Sequence, residues 1–255
     1  MNMSKTIAIT RKELNIMLHS PVPYIGLGVF ALVVGFLFNT FIYQFMMIQQ
    51  QQMFFRQGGG IDIHVLVQGT FKNVHFLFLI LIPFFTMRSI AEEKANGTTN
   101  LLLSAPITIT QIVGGKFLGV LAVVALFIGY TAFIPIFCLH YSNPDLYMIL
   151  YSYVGLFCLA MTYVSVGIFA STITKNQMVA GIVAFIINFA FFLFGILTQN
   201  MSNIFGEVLG YLSISEHAEN FFKGVFSLKD VVFFMSVTFF WLFLAHRFLD
   251  SQSWR

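Results

Sequence analysis

Charged residues cut this chain into long apolar runs. Val22–Phe55, Phe117–Pro144, Leu146–Thr174 and Asn176–Gly206 each lack Asp, Glu, Lys and Arg. Each exceeds the roughly 20 residues that cross a bilayer core as a helix. Two shorter runs, Asn73–Met87 and Val231–His246, would reach only about 22–24 Å at 1.5 Å per residue. Flanking Lys72 and Arg88, and Asp230 and Arg247, complete them by snorkelling. The pattern predicts six transmembrane helices, near 24–47, 69–90, 116–139, 148–172, 178–199 and 228–247. The expected fold is an all-α polytopic membrane protein.

Punctuation between the runs assigns the connections. Residues 3–20 place Met3, Ile7, Leu14, Met17 and Leu18 on one helical face, with Lys5, Arg11, Lys12 and Glu13 on others. That is an amphipathic helix suited to a membrane interface; a disordered basic leader is the alternative. Pro21 and Pro23 end it, so residues 1–21 precede a six-span domain over 22–255. The first apolar run is too long for the core of a signal peptide and reads as a permanent anchor. Residues 48–68 hold a Gln run and a Gly triplet and read as a linker. The segment 203–226 is too polar to span and too apolar for a plain loop. Ser213 with Glu216 reads as a capping box and Gly224 as a C-cap, so a short helix between them dips back into the outer leaflet. Ser227 with Asp230 reads as a second capping box, opening the last span.

Composition agrees with this picture. Of 255 residues, 58% are hydrophobic and 9% charged, where soluble domains carry about a quarter charged. Six spans put both termini on one side. With the termini in the cytoplasm, Lys5, Arg11, Lys12, Arg88, Lys94, Lys116, Lys175, Arg247 and Arg255 fall inside. Only Arg56, Lys72, Lys223 and Lys229 fall outside, which is the inward cationic bias of membrane proteins. That bias accounts for the net charge of +3, and nothing in it points to nucleic acid. Cys138 and Cys158 fall within spans, as small packing residues.

Catalytic patterns are missing from the sequence: there is no HExxH, no GxSxG and no convincing nucleophile–base pair. The stretch VGGKF at 113–117 has the tail of a phosphate-binding loop. It lacks the earlier Gly, the Ser or Thr after Lys116 and a preceding strand, so Gly114 and Gly115 read as helix-packing residues. Glu216, His217 and Glu219 have no further ligand beside them and read as a solvated helix face rather than a metal site. Span centres carry no Asp, Glu, Lys, Arg or His. Asn39, Thr162, Ser165 and Asn188 are their notable polar residues, with helix–helix hydrogen bonds as the expected role. An ion-coupled carrier normally needs an ionisable group near the midplane. Energy for transport is therefore expected from outside the chain.

One charged stretch stands apart, RSIAEEKANGTTNLLLSAPIT at 88–108. Arg88 to Lys94 extend span two past the membrane, and Gly97 ends or bends that helix. Residues 98–104 form a short helix carrying Leu101, Leu102 and Leu103. Pro106 stops it, and Thr108 with Gln111 caps the helix that becomes span three. Three leucines facing water imply a protein partner; insertion into the inner leaflet is the alternative.

AEEKANGTTNLLLSAPITITQIVGGKFLG has an acidic pair, Gly-Thr, a Leu-rich short helix, Ser-x-Pro and a later Gly-Lys. It resembles the loop after span two in the permease subunits of ABC-2 type ABC transporters. YLSISEHAENFFKGVFSLKDVVFF is similar to a narrower group, the gliding-motility-associated permeases of the GldF type. The resemblance covers essentially the whole chain. It implies that residues 91–112 form a coupling loop on a separate cytoplasmic ABC ATPase. Glu92 and Glu93 would make polar contacts, Leu101, Leu102 and Leu103 the apolar anchor, and Gly97 and Pro106 the geometry. Thr98 and Ser104 belong to the motif, and Lys116 sits at the membrane boundary.

The resemblance further implies a non-enzymatic subunit that binds no cofactor, with ATP and Mg held by the ATPase. It implies a second permease copy, identical or similar, and an auxiliary membrane protein with an outer domain. The site would be the bacterial cytoplasmic (inner) membrane, in contact with its lipids, with both termini inside. The expected function couples ATP hydrolysis to exporter-like movement of a substrate, or to a surface gliding-motility machine. A non-transporting scaffold of a motility or secretion assembly is the alternative. Reconstitution separates them, since only a transporter shows substrate-stimulated ATP hydrolysis.

Overall fold

The computed structural model describes residues 3–54, 63–98, 107–141, 145–198 and 203–253, and every regular element among them is helical. Helix α1 (Met3–His19) breaks at Ser20. Helix α2 (Pro21–Phe54) then opens on Pro21, at the first helical position, where a missing N–H costs no bond. The Gln run at 49–52 belongs to α2 rather than to a linker, in keeping with the good helix propensity of Gln. Helix α3 (Ile63–Thr86) passes through a turn at 87–90 into the short α4 (Ala91–Ala95). Span three is built from two pieces, α5 (Ile109–Tyr130) and α6 (Phe133–Tyr141). The break at Thr131 and Ala132 follows from Pro135, which has no N–H to return to Thr131. Helices α7 (Leu146–Ile173), α8 (Gln177–Thr198), α9 (Ile204–Leu212), α10 (Ile214–Phe222) and α11 (Leu228–Ser253) complete the chain.

Among the described residues, six stretches are long and apolar enough to cross a membrane: Pro21–Gln44, His64–Ala95, Ile109–Cys138, Leu146–Ile173, Gln177–Thr198 and Leu228–Gln252. They overlap all six expected spans. Helix α7 is the axis of the bundle, packed by α3, α5, α8, α10 and α11. Its most apolar stretch is 78% buried, against 17%, 22% and 28% for spans one, five and six. Those three outer spans leave most of their apolar surface for lipid or for another protein. Cys138 and Cys158 are both buried and free.

The segment before the last span folds into two short helices, α9 and α10. Ser213 caps α10 by accepting the Glu216 N–H at 3.2 Å. At the other end Gly224 takes φ +77°. Its N–H bonds Phe221 O at 3.0 Å while Val225 N–H bonds Asn220 O at 2.9 Å, the double closure that favours glycine. Helix α10 turns Ile214, Ala218, Phe221 and Phe222 inward, while Ile204 and Phe205 of α9 face outward. Glu219 bonds Lys72 of α3 at 2.9 Å and Lys223 at 3.0 Å. Partial burial pushes its carboxyl up, but the two ammonium donors outweigh this and hold it below the usual range.

His217 does not share a solvated face with its acidic neighbours. It is buried, with Nδ1 2.5 Å from Asp230 Oδ1 and Nε2 3.0 Å from Tyr211 O. Phe233 stacks on the ring at 3.9 Å. Asn220 donates to the other Asp230 oxygen at 3.0 Å. Asp230 is therefore drawn to α10 instead of reaching back to Ser227, whose carbonyl accepts the Asp230 N–H at 3.1 Å. Glu216 turns elsewhere, accepting from Thr198 at 2.6 Å.

Because His217 and Asp230 are buried together, removing one strands the other. Asp230→Ala should destabilise this segment by about 3–5 kcal/mol. The expected readings are a lower unfolding temperature in detergent and faster amide exchange across 213–224. Unchanged exchange there would show that the pair does not hold α10 in place.

Candidate coupling site

The site begins with two glycines on one face of α5. A Cβ at Gly115 would lie 2.7 Å from Ile9 Cβ, and one at Gly119 would lie 2.7 Å from Glu13 Cβ. Glycines four residues apart share a helix face and let two backbones approach. Helix α1 docks there, and Thr10 Oγ1 donates to Gly115 O at 3.2 Å. The docked face carries Thr6, Ile9, Thr10 and Glu13, while Ile7 and Ile16 stay exposed. The expected apolar set of α1 is thus divided. Leu14, Met17 and Leu18 are half-buried and Ile7 points away.

Close docking brings a carboxylate from α1 to a lysine in the first turns of span three. Lys116 is buried, and its Nζ lies 2.6 Å from Glu13 Oε1, 2.9 Å from Glu93 Oε1 and 2.6 Å from Ser89 O. Of its three N–H donors, two bond Glu13 and the Ser89 carbonyl, and Glu93 adds an ion pair. One positive charge faces two carboxylates. Burial of an ion is tolerated only with this degree of pairing and hydrogen bonding.

The segment after span two is fastened again on its other side. Ile90 N–H bonds Ser171 Oγ at 2.8 Å. Lys94 Nζ bonds the carbonyl of Thr172, at the C-terminal end of α7 where backbone carbonyls attract cations. The Lys94 ammonium also stands over the Phe248 ring, 5.5 Å from its centroid. Beyond α4, Gly97 adopts φ +70°. Gly97 N–H bonds Lys94 O at 3.4 Å and Thr98 N–H bonds Glu93 O at 3.0 Å. This is the same glycine-closed helix end as at Gly224, and it turns the chain sharply away. On the return side Thr108 and Gln111 form the expected reciprocal capping box, at 3.1 and 3.4 Å.

These facts locate the residues singled out in the sequence. Glu92 is exposed, Glu93 is turned inward onto Lys116, and Gly97 and Thr98 form the turn. Lys116 is the buried centre. Leu101, Leu102, Leu103, Ser104 and Pro106 lie outside the described residues. Glu13, Ser89 and Ser171 were not singled out. The available signal was a carboxylate on a basic helix and a lysine inside an apolar start of span, separated by 103 residues. His75 was missed as well: it is buried in α3, with Nε2 2.8 Å from Tyr163 OH.

Among the span-centre polar residues, Thr162 bridges α7 to α11 through Thr238 at 3.2 Å. Ser165 bonds Thr162 O within its own helix, and Asn39 faces outward. Asn188 is buried, and neither amide atom has a hydrogen-bond partner among the described residues. Among the described residues, no group of three or more His, Cys, Asp or Glu could hold a metal.

Six apolar spans, five of them arranged about the buried fourth, with a charged segment strapped to one end of the bundle, define a multi-pass α-helical membrane protein. The chain belongs to the family described as ABC-2 family transporter protein, which it matches over residues 7–245. It is therefore the membrane permease component of an ABC transporter. No curated protein matches it as a relative.

Lys116→Met should leave Glu13 and Glu93 facing each other without a cation, at a cost of about 3–5 kcal/mol. Helix α1 should then detach, seen as rapid proteolysis within residues 5–19 and fast amide exchange across 88–97. The triple variant Glu13→Gln, Glu93→Gln, Lys116→Met removes all three charges and should recover most of the protection. If the single variant behaves like wild type, the three groups do not anchor α1.

Proposed function

We propose that this chain is the coupling permease of an ATP-driven complex in a bacterial inner membrane, with both termini in the cytoplasm. Two permease copies would work with two copies of a separate ABC ATPase, and the permease itself would hydrolyse nothing. The observation that carries this reading is the fastening of residues 88–97 through Lys116 and Ser171. A segment tied to α1, α5 and α7 moves with those helices, so displacement of its tip is passed to the spans. Leu101, Leu102 and Leu103 would form the tip seated on the ATPase, with Ser104 and Pro106 closing it. Glu92 and Thr98 would add polar contacts from the exposed side, Gly97 would set the angle, and Glu93 would act through Lys116. ATP and Mg would bind the ATPase alone.

The likeness of residues 211–234 to gliding-motility-associated permeases supports a finer reading. The complex would serve a surface motility machine, with an auxiliary membrane protein received on the outer side. The outward apolar face of α9, with Ile204 and Phe205 exposed, is a suitable seat for it.

Leu102→Asp would bury an unpaired charge at the ATPase contact, at about 3–5 kcal/mol, or at least a hundredfold in affinity. Pull-down at matched membrane levels should recover the ATPase with wild-type permease and not with the variant. The wild-type complex should have the mass of two permeases and two ATPases. Equal recovery would remove the coupling role, and a one-to-one mass would remove the dimer. ATP hydrolysis unmoved by any substrate after reconstitution would favour the scaffold.

Orientation is tested by single cysteines at Asn96 and Asn220 in a background lacking Cys138 and Cys158. A membrane-impermeant thiol reagent added to intact cells should label position 220 and spare position 96. The reverse pattern would turn the topology over and place the loop away from ATP.

A further inference from the structure

A cavity of about 460 Å³ lies where α1 meets the start of α2 and the end of α3. That volume is in the range of small-molecule sites. Of its wall, the coupling reading uses only Glu92, as an exposed polar contact, and leaves Arg88, the Ser89 hydroxyl and the apolar flank without a role. Arg88 and Glu92 both line it and are exposed, and neither side chain makes a hydrogen bond or ion pair with any described residue. Ser89, between them, is 4% exposed, and its hydroxyl has no hydrogen-bond partner among the described residues. A buried hydroxyl without a partner is costly and marks a place where a ligand atom would be favoured. On the lipid-facing flank, Phe84 and Ile16 line the same cavity and are more than half exposed.

The charges choose among ligands. Glu13 also lines the cavity, but its carboxylate is committed to Lys116 at 2.6 Å. That leaves one free cation, Arg88, and one free anion, Glu92, with His19 at the rim. The His19 Nδ1 is committed to Asn15 O at 2.8 Å. A ligand complementary to this wall carries one anion and one cation, with donors on the cation for a carboxylate to accept. A phosphodiester suits the planar fork of Arg88 and offers an oxygen to Ser89. A primary ammonium suits Glu92. An anionic headgroup would meet Glu92 uncompensated, and a quaternary ammonium has no N–H to give it. The apolar flank at the level of span ends suits acyl chains.

We propose that this cavity binds the headgroup of an aminophospholipid from the membrane, phosphate on Arg88 and Ser89 and ammonium on Glu92. The proposal rests on the membrane-spanning fold and not on the ATPase, so it is tested on the permease alone. Purified permease is incubated with equal amounts of phosphatidylethanolamine, phosphatidylglycerol and phosphatidylcholine of one chain composition, and retained lipid is read by native mass spectrometry. Wild type should retain the ethanolamine lipid roughly fivefold to tenfold over the others, the size of one charge-assisted contact.

Glu92→Gln should erase that preference while total retention stays similar. Arg88→Gln should lower retention of all three lipids. Both side chains are exposed, so neither change should alter the unfolding temperature. Equal retention of the three lipids by wild type, or a preference unchanged in Glu92→Gln, would overturn the proposal. Displacement of the lipid by water-soluble phosphoethanolamine at matched concentration would also overturn it, by assigning the site to a soluble headgroup.

Discussion

A single ammonium organises the charged end of this molecule. Lys116 is taken out of water by the close packing of α1 on Gly115 and Gly119, and an isolated charge could not remain there. It remains because two carboxylates and a carbonyl converge on it from α1, from α4 and from the turn at 87–90. Each of those three elements is short or peripheral and would have little reason to hold one position by itself. Helix α4 is a single turn and a half, and α1 lies outside the spans. Their shared partner converts three weakly held pieces into one body with span three.

The bundle around that end has an asymmetric distribution of burial. Span four is enclosed on nearly every side, while spans one, five and six are mostly exposed. In a bilayer there is no hydrophobic force between helices, so packing depends on close fit and on polar contacts between them. The chain supplies both around α7. Gly155 admits Phe221 so closely that a Cβ would lie 2.5 Å from the phenylalanine Cβ, and Thr162 reaches Thr238 across to α11. The three exposed spans present Leu32, Phe36, Ile182 and Phe239 outward. A second permease subunit would meet the chain on surfaces of this kind.

The sequence displayed the fold wherever a local rule was sufficient. Charge-free runs marked all six spans, and Ser213, Gly224, Thr108 and Gln111 marked helix ends because a cap needs only neighbours in sequence. The failures have a common cause in contacts between distant residues. His217 sits one position after Glu216 and two before Glu219 and reads as part of their cluster, yet helical geometry turns it the opposite way, toward Asp230. Ser227 and Asp230 have the spacing of a capping box, but a buried histidine competes successfully for the carboxylate. Glu13 looked like one polar residue among several on α1 until α5 was in place to receive it. Glu93 carries a role only through the family resemblance, and a motif does not reveal its inward ion pair with Lys116. The break at Thr131 was written in Pro135, four residues on, and passed unread inside a continuous apolar run.

The bond between Glu13 and Lys116 also constrains how the chain can be threaded. Both residues must end on the same face of the bilayer, so the polypeptide between them crosses it an even number of times. Spans one and two satisfy that parity. During synthesis Glu13 is made first and must wait for residue 116, with no cation to meet it until span three begins to emerge. A chain that failed to insert span one or span two would strand the carboxylate and the ammonium on opposite sides. The pair therefore closes only when spans one and two are both inserted or both left out, and a chain with just one of them in place cannot form it.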